Sequence, residues 1–299
     1  MAGAEDGYVH RHLTNVPVRE STGLRTVATA ARYALHEMDV APWLTDERGA
    51  VVPGALGILA DSVLGAAVMT TVPIERGMVT SHLHLELLQP LPPGITRLRA
   101  EGRQRWLRGR FGLGEGEITT EDGEAVARAT IGALLLDGGA PGRPRGPDEG
   151  AAPTATDRDA TPAPTDAGAG AAHPLLVGAP VHAALGTTVV DLDGRRALVE
   201  VTAGRFLANR RGGLHGGAGV LIGERILELV LRAALAGDRV MRPVELRAAF
   251  LRGIPADDGR IACQATIAHL GRRLAAARGE LMDHEGRPAV LIDATYITD

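Results

Sequence analysis

The 299-residue sequence contains no lysine; all 32 of its basic residues are arginine. Without a lysine amine these residues cannot form a Schiff base with a carbonyl substrate or pyridoxal phosphate, and they cannot build a Walker phosphate loop, so both enzyme classes are excluded. Cysteine is almost absent too. With Cys263 alone there is no internal disulfide and no thiolate-rich zinc site. The ten histidines show no spacing of the H-E-x-x-H kind, so no metal is expected. Net charge is −4 and no block of like charge runs on, which leaves no electrostatic reason to expect nucleic acid or a membrane as a partner. No apolar run is long enough to cross a bilayer, and "MAGAEDGYVHRHLTN" lacks the apolar core of a signal peptide; a cytoplasmic location is expected.

What the sequence does have is 45% apolar residues, enough to fill the cores of two ordinary domains. Between Leu136 and Pro174 the composition changes to a stretch almost free of large apolar side chains, "DGGAPGRPRGPDEGAAPTATDRDATPAPTDAGAGAAH". Such a stretch cannot bury enough surface to offset its ordering entropy, so residues 137–173 are expected to form a flexible linker between an N-terminal domain at 1–136 and a C-terminal domain at 174–299.

The two halves read as copies of one unit. An offset of 163 carries Gly54 onto Gly217, Met78 onto Met241, Leu83 onto Leu246, Pro92 onto Pro255, Arg110 onto Arg273 and Gly123 onto Gly286, without a gap. Each copy has a helical segment, "PGALGILADSVLGAAVMTT" or "GGAGVLIGERILELVLRAAL", and the first is apolar nearly all round. Alternating or β-rich segments follow, separated by turn signals such as "PPG" and "EDG". The expected fold class is α+β, two tandem domains in which an antiparallel sheet curls around a long central helix.

"NRRGGLHGGAGVLIGE" and the strands after it resemble the hotdog-fold acyl-CoA thioesterases of the phenylacetate-degradation type. Their signature of Asn, His-Gly-Gly and a helix carboxylate falls on Asn209, His215, Gly216, Gly217 and Glu224. The first half departs from it, with Asp46, Val52 and Pro53 in place of Asn209, His215 and Gly216. It keeps the carboxylate as Asp61, and at the start of the following strand it has Thr80 where the second half has Pro243. The resemblance implies that two units pair side by side, one supplying the Asn and the His-Gly-Gly backbone and the other the carboxylate and hydroxyl. One site would then combine Asn209, His215 and Gly216 with Asp61 and Thr80, and the opposite one would be a relic.

Thioester hydrolysis needs a donor for the carbonyl oxygen and a base or nucleophile near the carbonyl carbon. The Gly216 N–H, an orphan of a first helical turn, suits the donor role, whereas Pro53 has no N–H to offer. Asn209 is expected to add its amide to the same oxygen, and His215 to hold the loop or touch the thioester. Apolar flanks around Asp61 should make it a stronger base than a solvated aspartate, acting through a water shared with Thr80 or attacking directly. Glu224, beside Arg225, reads as half of a structural ion pair. Arg272 and Arg273 are candidates for a CoA phosphate, with solvent exposure as the plainer reading. His82 and His84 are expected on one sheet face with Thr80, lining the acyl pocket or facing solvent. No cofactor is expected; the implied partners are an acyl-CoA or acyl carrier protein thioester and a second tandem chain in a homodimer. Two rival readings stand: a hydratase or dehydratase of acyl thioesters, and a non-catalytic acyl-thioester binder.

Overall fold

The computed structural model describes residues 16–73, 75–137, 173–235 and 239–298; apart from its end residues Asp137 and His173, the expected linker lies outside them. The first half runs α1 (Pro17–Ser21), β1 (Arg25–Ala30), β2 (Tyr33–Asp39), α2 (Ala55–Met69), β3 (Gly77–Leu87), β4 (Arg97–Arg108), β5 (Phe111–Thr120) and β6 (Ala125–Leu136). The second repeats this order: α3 (Pro180–Ala184), β7 (Thr188–Leu192), β8 (Arg196–Thr202), α4 (Gly216–Ala234), β9 (Arg242–Phe250), β10 (Arg260–Leu270), β11 (Leu274–Met282) and β12 (Pro288–Ile297). Short 3-10 turns at Pro42–Leu44 and Arg205–Leu207 precede the two long helices. The offset of 163 therefore extends back to α1 and α3.

The twelve strands of the described residues form one antiparallel sheet in the order β1-β2-β4-β5-β6-β3-β9-β12-β11-β10-β8-β7. The halves join at β3 and β9, where His84 faces Arg247, its own counterpart at the offset of 163, and His82 and Glu86 face Ala249 and Glu245. A pseudo-twofold axis thus passes through the His84–Arg247 pair.

Leucine, isoleucine, valine and alanine make α2 a strong core element. Every one of its residues except Ser62 is buried, at about 1.5–3 kcal/mol for each large aliphatic side chain. Its outer neighbours are β2, β4, β5, β6 and β3, and its remaining side meets α4. The two helices cross where neither has a side chain to hold them apart. A Cβ on Gly217 would stand 2.2 Å from the Gly57 carbonyl oxygen, and one on Gly57 would stand 2.8 Å from Cβ of Val220.

β3 carries a bulge between Thr80 and His82, and β9 carries the matching one between Pro243 and Glu245. The extra residue, Ser81, changes which side chains face the helix. Leu83, Leu85 and Leu87 point into the core, His82 and Glu86 are exposed, and Thr80 turns inward to α2. The expectation that Thr80 shares a face with His82 and His84 is therefore corrected, because strict alternation fails across a bulge. His84 lies on the outer face, with its Nε2 3.0 Å from Oε1 of Glu245.

Candidate active site

The helix crossing places Asp61, halfway along α2, against the first turn of α4. Asp61 is 8% exposed, and both of its oxygens are engaged. The Thr80 hydroxyl donates to Oδ1 at 2.6 Å, and the Gly217 N–H donates to Oδ2 at 3.1 Å. A buried carboxylate without such donors would be strongly disfavoured; here a hydroxyl, a backbone amide and the positive end of a helix compensate it.

His215 is the N-cap of α4, and its Nδ1 accepts the same Gly217 N–H at 3.2 Å. That bond assigns the ring proton to Nε2. Burial pushes the imidazole below its ordinary pKa, Asp61 opposes this and Arg19 adds to it, so the ring is neutral. The 3.5 Å between His215 Nδ1 and Asp61 Oδ2 is accordingly not an ion pair. Gly216 lies directly over the carboxylate: a Cβ there would stand 2.6 Å from Asp61 Oδ2. Its N–H meets no acceptor among the described residues and is left available for an incoming oxygen.

Asn209 does not join this group. Its amide nitrogen donates to the Leu214 carbonyl at 3.2 Å, and its oxygen accepts the N–H groups of Arg211 and Gly213 at 2.8 and 3.3 Å. Asp46 makes the matching bonds to the N–H groups of Arg48 and Ala50 in the first half. Asn209 thus shapes the loop that ends in His215: its oxygen and one of its two N–H groups are committed to that loop, which leaves a single N–H for the expected contact with a substrate oxygen.

The pseudo-twofold repeats the contact but not its surroundings. Glu224 accepts the Gly54 N–H at 3.3 Å, the counterpart of the Asp61–Gly217 bond, but is fully buried and gripped by Arg225 through bonds of 2.7 and 2.5 Å. Burial works against the Arg225 charge, yet Glu224 and Glu228 outweigh it and raise its pKa. Pro243, in place of Thr80, offers no hydroxyl and pairs across the strands with the buried Tyr296.

Arg272 and Arg273 fall at the wrong end for the Asp61 site. They form the β10–β11 turn, where the Arg273 carbonyl accepts the Thr298 N–H and Leu274 pairs with Ile297, beside the start of β9 and Pro243. The equivalent turn near Thr80 carries Arg110. Its side chain and that of Arg76 share Asp137 at 2.6 Å each, and Arg211 reaches the Met78 carbonyl at 3.2 Å.

Residues 211–290 match the family model of the thioesterase superfamily. Among solved structures, a tesB protein of Mycobacterium avium subs paratuberculosis has 12% identity and a TM-score of 0.61, covering 92% of this chain and 96% of that one. The acyl-CoA thioesterase II TesB2 of Mycobacterium marinum has 13% identity and a TM-score of 0.59, covering 94% and 96%. An acyl-ACP thioesterase of Bacteroides thetaiotaomicron has 12% identity and a TM-score of 0.52, covering 89% and 98%. No curated protein sequence matches the chain. At these identities the likeness is one of fold, and over nearly its whole length the chain has the fold of double-hotdog thioesterases.

Proposed function

We propose that the chain hydrolyses an acyl thioester, carried on coenzyme A or on an acyl carrier protein, at one composite site between its halves. The observation that carries this reading is the junction itself, where Asp61 and Thr80 of the first half meet the Gly216–Gly217 turn of the second. The thioester carbonyl oxygen binds the Gly216 N–H, which stabilises the charge that develops on it in the tetrahedral transition state. The Thr80 hydroxyl keeps its proton and donates it in the hydrogen bond to Asp61, so its oxygen is left to accept a hydrogen bond from a water and orient it. Asp61 takes the other proton of that water as its oxygen bonds to the carbonyl carbon. Collapse then breaks the C–S bond, and the proton passes from Asp61 to the departing thiolate. Both Asp61 oxygens are already hydrogen-bonded, which favours this water route over direct attack by the carboxylate. The mechanism uses only water and groups of the chain.

In this reading His215 and Asn209 are positioning residues, and the Glu224 side is structural. Residues 137–173 tether two domains derived by duplication, and two tandem chains pair as a homodimer in the cytoplasm. Support for self-association comes from the outer sheet face, where the exposed Trp106 and Leu113 face one another across β4 and β5, and the exposed Leu134 and Val79 across β6 and β3.

The test is thiol release from a panel of acyl-CoA and acyl carrier protein thioesters by the parent chain and by Gly216→Pro. The parent should release thiol, and the variant should lose about 10²–10³ in kcat. No release by the parent from any member of the panel would overturn the proposal.

A further inference from the structure

The loop that carries Gly216 belongs to the second half, but the first half holds it at both ends. Three successive carbonyls lead into it. The Ser21 hydroxyl donates to the Phe206 carbonyl at 2.9 Å, the His215 N–H to that of Leu207 at 3.0 Å and the Val18 N–H to that of Ala208 at 3.1 Å. α1 thus takes the first and third carbonyls, and the site turn takes the one between. At the far end the Gly217 N–H meets Asp61 of α2. Ser21 is itself fixed: its carbonyl accepts the Trp43 Nε1–H at 3.0 Å, and the other acceptor near its hydroxyl, the Val18 carbonyl, is farther away at 3.2 Å. The Trp43 indole also meets the Phe206 ring edge-on, with centroids 5.2 Å apart and planes at 87°, and both rings are buried.

The opposite loop, residues 43–54, serves as an internal control. Trp43 and Phe206 are counterparts at the offset of 163, so their contact straddles the pseudo-twofold axis. The backbone bonds repeat on the other side, where the Val52 N–H donates to the Leu44 carbonyl at 3.0 Å and the Val181 N–H of α3 to the Thr45 carbonyl at 3.2 Å. The side-chain bonds cannot repeat. Ala184 stands in place of Ser21 and has no hydroxyl, and Phe206 stands in place of Trp43 and has no ring N–H. Among the described residues, both extra bonds therefore lie on the side where Asp61 and Gly216 meet.

We infer that Ser21 and Trp43 are positioning residues, which hold the loop from Phe206 to Gly217 so that the Gly216 N–H stays over Asp61. The inference rests on the hydrolytic reading of the Asp61 site. Both act through the loop backbone. Gly216 and Gly217 have no side chains with which to anchor themselves, and glycine has the freest backbone of any residue, so the place of the turn has to be set by what grips the loop around it. The demand on that grip is steep, because a shift of about 1 Å between a donor and the group it serves costs on the order of 10²-fold in rate. Ser21, Trp43 and Asp61 all belong to the first half. The donor loop and the carboxylate are thereby referred to one frame, although the donor comes from the other half. Removal of the Ser21 hydroxyl would leave the Phe206 carbonyl without this donor and free the start of the loop to shift.

The experiment compares the full parent chain with Ser21→Ala, Ser21→Thr, Trp43→Phe and Val181→Ala, the last a truncation of a fully buried side chain in α3 on the opposite side. Thiol release gives kcat and KM, and amide hydrogen exchange is followed over residues 205–217 and 42–54. Ser21→Ala and Trp43→Phe should each lower kcat about tenfold with KM within about twofold of the parent. Each should also speed exchange about tenfold in 205–217 and leave 42–54 unchanged. Ser21→Thr keeps the hydroxyl and should recover kcat. Val181→Ala should melt at a lower temperature with the kcat of the parent. Exchange that rises as described, in a protein whose parent releases no thiol, would uphold the grip on the loop and overturn the hydrolytic reading. Parent-like kcat in both Ser21→Ala and Trp43→Phe, or an equal loss in Val181→Ala, would overturn the inference.

Discussion

Asp61 and Glu224 are equivalent by position and opposite in circumstance. Among the described residues Asp61 is held by a hydroxyl and an amide and by no arginine, whereas Glu224 is neutralised by Arg225 within a fully buried pair. Breaking such a pair leaves an uncompensated buried charge, so Glu224→Gln should lower stability by about 3 kcal/mol in denaturant unfolding while thiol release stays within a few-fold of the parent. Gly216→Ala probes the other side. The N–H remains, but the new methyl would lie against Asp61 Oδ2, so kcat should fall by about tenfold or more with a smaller change in KM. A wild-type kcat would show that the turn over Asp61 has room to spare. The resemblance of the second half, carried onto the first by the offset, made Asp61, Thr80, His215 and Gly216 legible as a set in the sequence. The bonds that Asn209 makes to its own loop were not legible, because a side chain that bonds its own loop and one that faces a substrate look the same in a sequence.

At the level of elements, the crossing of α2 and α4 fixes the site. Gly57 and Gly217 let the helix backbones touch, and the Asp61–Gly217 bond exists only at that separation. Gly57→Ala would drive a methyl into Val220, so it should cost roughly 1–3 kcal/mol and lower kcat together, measured by thermal unfolding and thiol release. Loss of stability with an unchanged kcat would separate the crossing from the chemistry. The two long helices and the four-strand meander after each were legible from periodicity and turn residues. The β1–β2 hairpin gave no such signal: it turns through Ala31 and Arg32, with Arg32 at φ 66°, without the glycine or asparagine that usually marks a left-handed turn position. The bulge at Ser81 was equally hidden, since an inserted residue alters facing without altering composition.

Across the whole molecule, three buried histidines push stability in one direction. Burial is the largest cause lowering the pKa of His36, His182 and His215, that of His182 to about 3. Each imidazole takes up a proton in the unfolded chain below about pH 6.5 but resists it when folded, so stability is greatest above that value and falls with acid towards the folded pKa. His182 alone should account for about 2 kcal/mol between pH 7 and pH 5 in urea unfolding, and His182→Gln should remove that share. The β3–β9 ladder and the helix crossing, rather than the tether, should hold the halves together. Cleavage at a protease site placed within residues 137–173 should therefore leave two fragments that co-elute and still hydrolyse thioesters. The central claim, one working site built from both halves, is tested most directly by thiol release from the full chain carrying Asp61→Asn, measured beside Glu224→Gln on the best substrate of the parent. The account predicts a loss of about 10²–10⁴ in kcat for Asp61→Asn and near-parent turnover for Glu224→Gln; parent-like turnover by Asp61→Asn, or an equal loss in Glu224→Gln, would contradict it.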